Sequence, residues 1–138
     1  MARSVREIDR NDDKYVGIRF PLDYSPEGFF YSTKTVLEQS KSNIINLLLT
    51  AKGERVMQPN FGSRLRELLF EQITPSTSSD IDSEIRETIS SQLPHIILND
   101  VIVVPKADEN LINIQIEYST KIEPDTFDTI TFNFEVGE

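Results

Sequence analysis

The sequence predicts an α+β domain in which three helices pack on one face of a three-stranded antiparallel β-meander. Apolar residues recur at helical spacing as far as Leu93, and from His95 onward they alternate with a period of two. A length of 138 residues and a hydrophobic fraction of 38% suit one domain with its own core. We assign residues 32–138 to this domain and residues 1–31 to an extended N-terminal arm.

The N-terminal arm is predicted from its mixture of turn-forming and aromatic residues. Pro21, Pro26 and Gly28 interrupt regular structure between residues 20 and 31. The same stretch supplies large apolar anchors, namely Phe20, Leu22, Tyr24, Phe29, Phe30 and Tyr31. We expect the arm to lie on a surface, either that of its own domain or that of a partner.

The first helix is predicted over about residues 34–51. Thr35 and Glu38 have the spacing of a capping box, in which each side chain satisfies the other's free backbone N–H. Leu47 lies off the main apolar stripe, which indicates that a second face of the helix is also covered. Gly53 suits the left-handed conformation that ends many helices. The main stripe comprises Leu37, Ile44, Ile45, Leu48 and Leu49.

Two further helices are predicted before the strands begin. A short one covers about residues 63–71, with Ser63 as its cap and Leu65, Leu68 and Leu69 facing inward. The next runs over about residues 78–92 and is capped by Thr77. Pro94 ends it, because a proline biases the preceding residue away from helical angles. Its narrow apolar stripe consists of Ile81, Ile85, Ile89 and Leu93.

The strands follow from the period of two. Ile96–Leu98 and Val101–Pro105 form one strand that a bend or bulge at Asn99-Asp100 interrupts. Ile112–Tyr118 and Ile130–Val136 alternate between apolar and polar residues, as half-buried strands do. Three strands leave two open edges, on which another chain can add a strand.

Charge and residue usage exclude several classes of function. Residues 71–138 carry 14 acidic and 3 basic side chains, which argues against binding to nucleic acid phosphates or to an anionic membrane. Without cysteine and with a single histidine, the chain has no thiolate nucleophile and no multi-histidine metal site. No apolar run reaches membrane-spanning length and no signal peptide is visible. We therefore expect a soluble intracellular domain without metal, cofactor or catalytic residues.

Two alternatives remain open from the residues alone. A cell-wall glycan hydrolase needs two carboxylates across a cleft, and Glu54, Glu67 and Glu71 lie near helix ends. Among 23 acidic residues, however, some pair always looks suitable, so this signal has almost no specificity. An acidic adaptor that mimics nucleic acid is the other alternative, and it would bind a basic partner with a steep salt dependence.

The segment between the first two helices resembles a known family. It reads Leu47-Leu-Leu-Thr-Ala-Lys-Gly-Glu-Arg-Val-Met-Gln-Pro-Asn-Phe-Gly62, and Leu68-Leu-Phe-Glu71 follows. This pattern is similar to that of the baseplate wedge subunits of contractile phage tails, whose relatives include type VI secretion baseplate subunits. The resemblance covers about residues 16–136. Some members carry a lysozyme-like name.

The resemblance implies a structural role in the tail baseplate of a virion made in the host cytoplasm. The expected partners are the tail sheath protein, other wedge proteins and, as a further candidate, the tail tube or hub, with several copies around the baseplate. The first sheath ring would dock by strand exchange on an open edge, and Thr129, Thr131 and Asn133 would set its register. The residues expected to contact the wedge are Gly53, Glu54, Arg55, Pro59 and Phe61.

One motif of the family is altered in this sequence. Members often carry Glu-Pro-Arg at the end of the third helix, where the triplet is implicated in holding the wedge together. This chain has Leu93-Pro94-His95 there, so the proline remains while the acidic and basic residues do not. Either His95 makes a weaker polar contact in their place, or the wedge uses another anchor.

Overall fold

The computed structural model describes residues 16–20, 22–26 and 30–135. Predictions that fall on the other positions, including most of the N-terminal arm and Val136, lie outside the described residues. The elements, in chain order, are β1 (Gly17–Ile18), β2 (Ser32–Thr33), α1 (Val36–Leu49), α2 (Leu65–Phe70), α3 (Thr77–Gln92), β3 (Ile96–Lys106), β4 (Leu111–Thr120) and β5 (Asp128–Glu135), with a short 3-10 turn at Ala107–Glu109 between β3 and β4.

The main sheet is an antiparallel meander in the order β3-β4-β5, which confirms the predicted α+β fold. Four alternate residues of the central strand face the helices and are fully buried: Ile112, Ile114, Ile116 and Tyr118. The Tyr118 hydroxyl donates to the Leu37 carbonyl oxygen at 3.1 Å and so ties β4 to α1. Burial, with Asp128 beside it, raises the pKa of Tyr118.

β3 contains the predicted irregularity. Its register against β4 shifts between Leu98 and Asp100, as expected of a bulge that inserts one extra residue. The shift restores the alternation, so that Ile96 and Val101 both reach the core. The two sequence segments therefore form one strand, and the prediction is confirmed.

Of the two hydrogen bonds of the predicted capping box at the start of α1, only one is present. The Glu38 N–H donates to Thr35 Oγ1 at 3.2 Å. The Glu38 carboxylate accepts the N–H of Lys34 at 3.1 Å, one residue earlier than a capping box requires. Thr35 remains the cap, and the carboxylate ties down the residue that precedes it.

The apolar faces of α1 differ from the predicted stripe at two positions. Leu47 is fully buried, which confirms that a second face of the helix is covered. Leu49, placed on the main stripe by its spacing, is 38% exposed, so that part of the prediction is wrong. The reason is tertiary: α1 packs against α2, α3, β4 and β5, and these neighbours cover more than one side of it.

The caps of the two later helices each differ from the predictions by one residue, since Arg64 and Ser76 occupy the cap positions. Ser63 lies outside α2, but its Oγ accepts the Leu65 N–H at 3.3 Å and donates to the Leu48 carbonyl oxygen at 2.8 Å. Thr77 is the first residue of α3 rather than its cap. Its Oγ1 instead accepts the Thr74 N–H at 2.8 Å and closes the turn before the helix.

The described N-terminal residues form a pairing that the sequence did not predict. Gly17 pairs with Thr33 and Ile18 with Ser32, which makes a small antiparallel sheet. The Phe20 N–H donates to Ser42 Oγ on α1 at 3.0 Å. This part of the chain therefore packs on its own domain. Over the described residues, no helix is long and apolar enough to cross a membrane.

Candidate protein-interaction site

The segment 50–64 between α1 and α2, here called the connector, is held by its own backbone. Gly53 has φ 86°, in the left-handed region that glycine favours, and its N–H donates to the Pro59 carbonyl oxygen at 2.8 Å. The Glu54 carboxylate accepts the Ala51 N–H at 2.9 Å, and the Glu54 N–H donates back to the Ala51 carbonyl oxygen at 3.1 Å. Glu54 therefore serves to close the turn after α1.

Arg55 stabilises the far side of the connector. Its guanidinium lies 3.9 Å from the centroid of the Phe61 ring, within the range of a cation–π interaction. Glu54 and Arg55 thus fix the connector through different partners, Glu54 at its beginning and Arg55 near its end.

Gly62 is the tightest point of the connector. It has φ 124°, and a Cβ at this position would lie 2.5 Å from the Thr50 carbonyl oxygen and 2.9 Å from Ala51. The next residue, Ser63, donates its N–H to the same Thr50 oxygen at 2.9 Å. Only a residue without a side chain allows the two strands of the connector to approach so closely.

A side chain of α3 holds the connector against the helices. The Gln92 amide nitrogen donates to the carbonyl oxygens of Gly62 at 3.0 Å and Asn60 at 3.2 Å, and its oxygen accepts the Gly62 N–H at 3.3 Å. Sequence reasoning missed Gln92, because a glutamine in the last turn of a polar helix carries no signal of such a role.

The fixed connector presents two apolar side chains to solvent. Val56 is 93% exposed and Met57 is 91% exposed, beside the exposed Pro59. Neither Val56 nor Met57 was among the predicted site residues. Large apolar side chains held outward on a rigid loop are typical of a contact with another chain.

The three polar residues predicted on the last strand lie together on the outer face of β5. Thr129, Thr131 and Asn133 point away from the helices, opposite the inward-facing Ile130 and Phe132. Asn133 accepts a hydrogen bond at 2.6 Å from the Asn113 amide of β4, directly across the ladder. This cross-strand pair fixes the register between the two strands.

The outer edge of β5 is open to another strand. Every second residue of an edge strand directs its N–H and C=O away from the sheet. The Thr129 N–H donates to its neighbour Asp128 Oδ1 at 2.8 Å, which places it on this outward set. Thr131, Asn133 and Glu135 have the same parity and therefore direct their backbone groups outward.

The outer edge of β3 offers fewer backbone donors. The Val101 N–H donates to Asp100 Oδ1 at 2.9 Å, and the Ile96 N–H donates to the Leu93 carbonyl oxygen at 3.1 Å. Pro105 belongs to the same outward set as Val101 and has no N–H. Together with the bulge, these features protect β3 from strand addition.

The altered triplet Leu93-Pro94-His95 forms the corner between α3 and β3. Leu93 packs against the core and Pro94 is exposed. The His95 carbonyl oxygen accepts the Lys121 N–H at 3.0 Å. Burial first, and the positive charge of Lys121 second, lower the pKa of His95 below its usual 6.5. A proton on His95 therefore costs stability.

We expect the stability of the fold to decrease as the pH falls below about 6.5, in part because of His95. As the pH falls, His95 is protonated in the unfolded chain before it is protonated in the folded one, because its pKa is lower in the folded chain. The resulting loss of stability is complete once the pH is below the folded pKa. Urea unfolding of wild type and His95→Gln at pH 8 and pH 5.5 measures it, and the variant should lose less stability between the two. Lys121→Gln should show an intermediate loss, whereas identical losses in wild type and His95→Gln would contradict the assignment.

The predicted site residues thus lie in three separate places of the fold. Gly53, Glu54, Arg55, Pro59 and Phe61 lie in the connector, Leu93-Pro94-His95 in the corner after α3, and Thr129, Thr131 and Asn133 on β5. Gln92 links the first two places, since it contacts the connector and directly precedes the corner. Over the part of the chain that the structure describes, no three His, Cys, Asp or Glu side chains come together as a metal site.

Comparison with known proteins identifies the family. Residues 36–125 match the family model described as baseplate wedge protein gp25. The chain is 30% identical over 94 residues to baseplate wedge protein gp25 of Enterobacteria phage T4, covering 68% of this chain and 71% of that protein. The chain therefore belongs to the baseplate wedge protein gp25 family, and the predicted resemblance is confirmed.

Two solved structures share the fold. A protein of Geobacter sulfurreducens named as a tail lysozyme is 31% identical with a TM-score of 0.61, over 75% of this chain and 97% of that one. A chain of the anti-feeding prophage baseplate is 25% identical with a TM-score of 0.56, over 86% of this chain and 82% of that one. The second of these structures is a six-fold symmetrised assembly.

Proposed function

We propose that this protein is a structural subunit of a tail baseplate wedge and that it docks the first ring of tail sheath subunits by strand addition. Membership of the gp25 family supports the wedge role. The open edge of β5 carries the docking part of the proposal, because Thr131, Asn133 and Glu135 direct their backbone groups outward. The protein would sit in the virion baseplate in several copies.

The β5 edge suits this task better than the β3 edge. Its register against β4 is regular over the whole strand, without a bulge or a proline. Backbone hydrogen bonds to an added strand would supply affinity, and the alternating side chains of Thr129, Thr131 and Asn133 would select its register. On β5 one outward N–H group, that of Thr129, is already engaged, whereas on β3 two are engaged and Pro105 has none.

The connector would form the contact with other wedge proteins. Val56 and Met57 project from it, while the Arg55–Phe61 contact and the Gln92 hydrogen bonds hold it in one conformation. A preformed loop loses little conformational entropy on binding, which favours a permanent contact.

A catalytic role as a glycan hydrolase is less well supported by the geometry. The Glu54 carboxylate is used by the Ala51 N–H, and Glu67 pairs with Arg64 at 3.2 Å. Both carboxylates therefore have structural partners on their own segments. We propose that the protein has no enzymatic activity and that the lysozyme name of one relative does not describe this chain.

Replacement of Thr131 by proline tests the docking edge. Proline removes an outward N–H but no hydrogen bond to β4, so the domain should remain folded while sheath binding falls at least about tenfold. The measurement is binding of purified sheath protein from the same tail, with the fold checked by circular dichroism. Thr131→Val is the matched control, because it keeps the N–H and the branched Cβ, so it should retain the backbone pairing and lose less than about threefold in binding.

The outcomes separate the parts of the proposal. Normal binding by a folded Thr131→Pro variant would exclude β5 as the docking edge. If wild-type protein fails to bind the sheath protein at all, while still joining the wedge, then strand addition to the sheath is wrong and the wedge role remains.

A further inference from the structure

An apolar groove lies beside the free edge of β5. It is lined by Leu48 and Leu49 of α1, by Leu65, Arg66, Leu69 and Phe70 of α2, and by Phe134 and Glu135 at the end of β5. Its volume is about 130 Å³. Over the described residues, no β4 residue lines it, so on the side of the sheet the groove is bounded by the edge strand β5.

The groove leaves apolar surface uncovered. Leu49 is 38% exposed and Phe70 is 59% exposed at its rim, although both belong to helices that otherwise face the core. Phe134 continues the inward face of β5 and stacks on Phe132 with ring centroids 5.7 Å apart. Apolar side chains of α1, α2 and the end of β5 therefore surround a groove that the described residues leave partly uncovered.

We infer that the strand added to β5 inserts one large apolar side chain into this groove. This inference rests on the proposed docking of the sheath to β5 and specifies the partner's chemistry. An added strand places alternate side chains on the helix-facing side, next to Phe132 and Phe134. The groove is close in size to cavities of about 150 Å³ that accept a benzene ring, so it suits one leucine, isoleucine or phenylalanine side chain.

The position of the groove also determines where along β5 that side chain falls. The lining includes Phe134 and Glu135 but neither Ile130 nor Asp128. The inserted residue must therefore pair near the C-terminal end of β5, opposite Phe134. Backbone pairing along Thr131 and Asn133 and insertion beside Phe134 would together fix both the edge and the register of the incoming strand.

A charge in the groove tests the inference. Leu49→Glu and Phe70→Glu should each weaken binding of the sheath protein by at least about tenfold, because docking would bring a charged carboxylate into contact with the inserted apolar side chain and remove it from water. Ile102→Glu is the matched control. Ile102 is 46% exposed on the outer face of β3, so its substitution should leave binding unchanged. Circular dichroism and urea unfolding confirm that each variant folds.

Crosslinking gives a second measurement that does not depend on disturbing the groove. The chain has no cysteine, so a single introduced cysteine carries a photo-crosslinker at one known place. From Arg66→Cys, at the exposed rim of the groove, we expect crosslinks to the sheath protein at an apolar residue of an extended segment. From Ile102→Cys we expect none.

The possible outcomes support or overturn the inference separately from the proposed function. If Leu49→Glu and Phe70→Glu bind the sheath protein as well as wild type does, the inference about the groove is wrong, while strand addition to β5 remains. Crosslinks between two copies of this chain, with a dimer in size-exclusion chromatography, would assign the groove to self-association instead. A complete lack of sheath binding by wild type would reject the docking proposal, and the inference with it.

Discussion

Replacing Gly62 by alanine should destabilise the protein by about 3 kcal/mol, because two costs coincide at this position. Its φ of 124° strains any residue with a side chain, and the new Cβ would lie 2.5 Å from the Thr50 carbonyl oxygen. The atoms that this Cβ would meet belong to the backbone of Thr50 and Ala51, which cannot move aside as the end of a flexible side chain can. The connector would therefore have to open between Thr50 and Ser63, which are joined by a hydrogen bond of 2.9 Å.

Gly53→Ala is the matched control for Gly62→Ala. Gly53 also has a positive φ, 86°, but a Cβ there meets nothing within 4 Å. Only the backbone strain remains, so a loss of about 1 kcal/mol is expected. Urea unfolding of both variants measures the difference. Equal losses would show that close approach to Thr50 contributes nothing and that strain alone explains both glycines.

Leu47→Ala should destabilise the fold by about 3 kcal/mol, whereas Leu49→Ala should cost less than about 1 kcal/mol. Leu47 is fully buried in the core, so its truncation leaves a cavity among well-packed neighbours. Leu49 is 38% exposed at the rim of the groove, so much of its side chain already contacts solvent. Both substitutions remove the same atoms from the same helix.

The two leucine variants test whether burial along α1 follows the spacing of apolar residues or the packing seen in the structure. The spacing of apolar residues along α1 places Leu49 on the buried stripe and Leu47 beside it. The structure confirms that the face with Leu47 is covered and leaves Leu49 partly exposed. Thermal or urea unfolding that finds Leu49→Ala the more damaging change would contradict the arrangement of α1 against α2 and β5 described above.

Features with a local cause were predicted correctly from the sequence. The strict alternation at Ile112–Tyr118 requires one buried and one exposed face, so the strand and its orientation follow directly. In β3, the residues Asn99-Asp100 interrupt the alternation of apolar and polar residues in a single place, and the bulge lies there. Gly53 follows the last apolar turn of a helix, where a positive φ is expected and observed.

Features that join distant segments were missed. The Gln92 side chain reaches Gly62, thirty residues earlier, and nothing in either local pattern marks the pair. The contact of Arg55 with the Phe61 ring was likewise missed, because a spacing of six residues within an irregular segment has no periodic signal. The pairing of Gly17 with Thr33 joins two segments too short to show a period of two.

In the candidate site, too, local features were predicted and features that depend on distant segments were missed. Sequence motifs identified the connector and the polar face of β5, since Gly, Pro and Phe at fixed spacing and alternating Thr and Asn are visible in one dimension. They did not distinguish the two sheet edges. That choice depends on which backbone N–H groups point outward, and hydrogen bonds from Thr129 and Val101 to neighbouring carboxylates reveal it only in the folded chain.

The α+β class, the meander, the bulge and the family could all be predicted from the order of the residues. Each of these depends on the period of apolar residues or on a contiguous motif, both of which act over a few residues. The exposure of Leu49, the apolar groove beside β5 and the larger number of free outward backbone donors on β5 than on β3 are visible only in the folded chain. These properties arise where α1, α2 and the sheet meet, and packing between distant segments is not encoded in any local pattern.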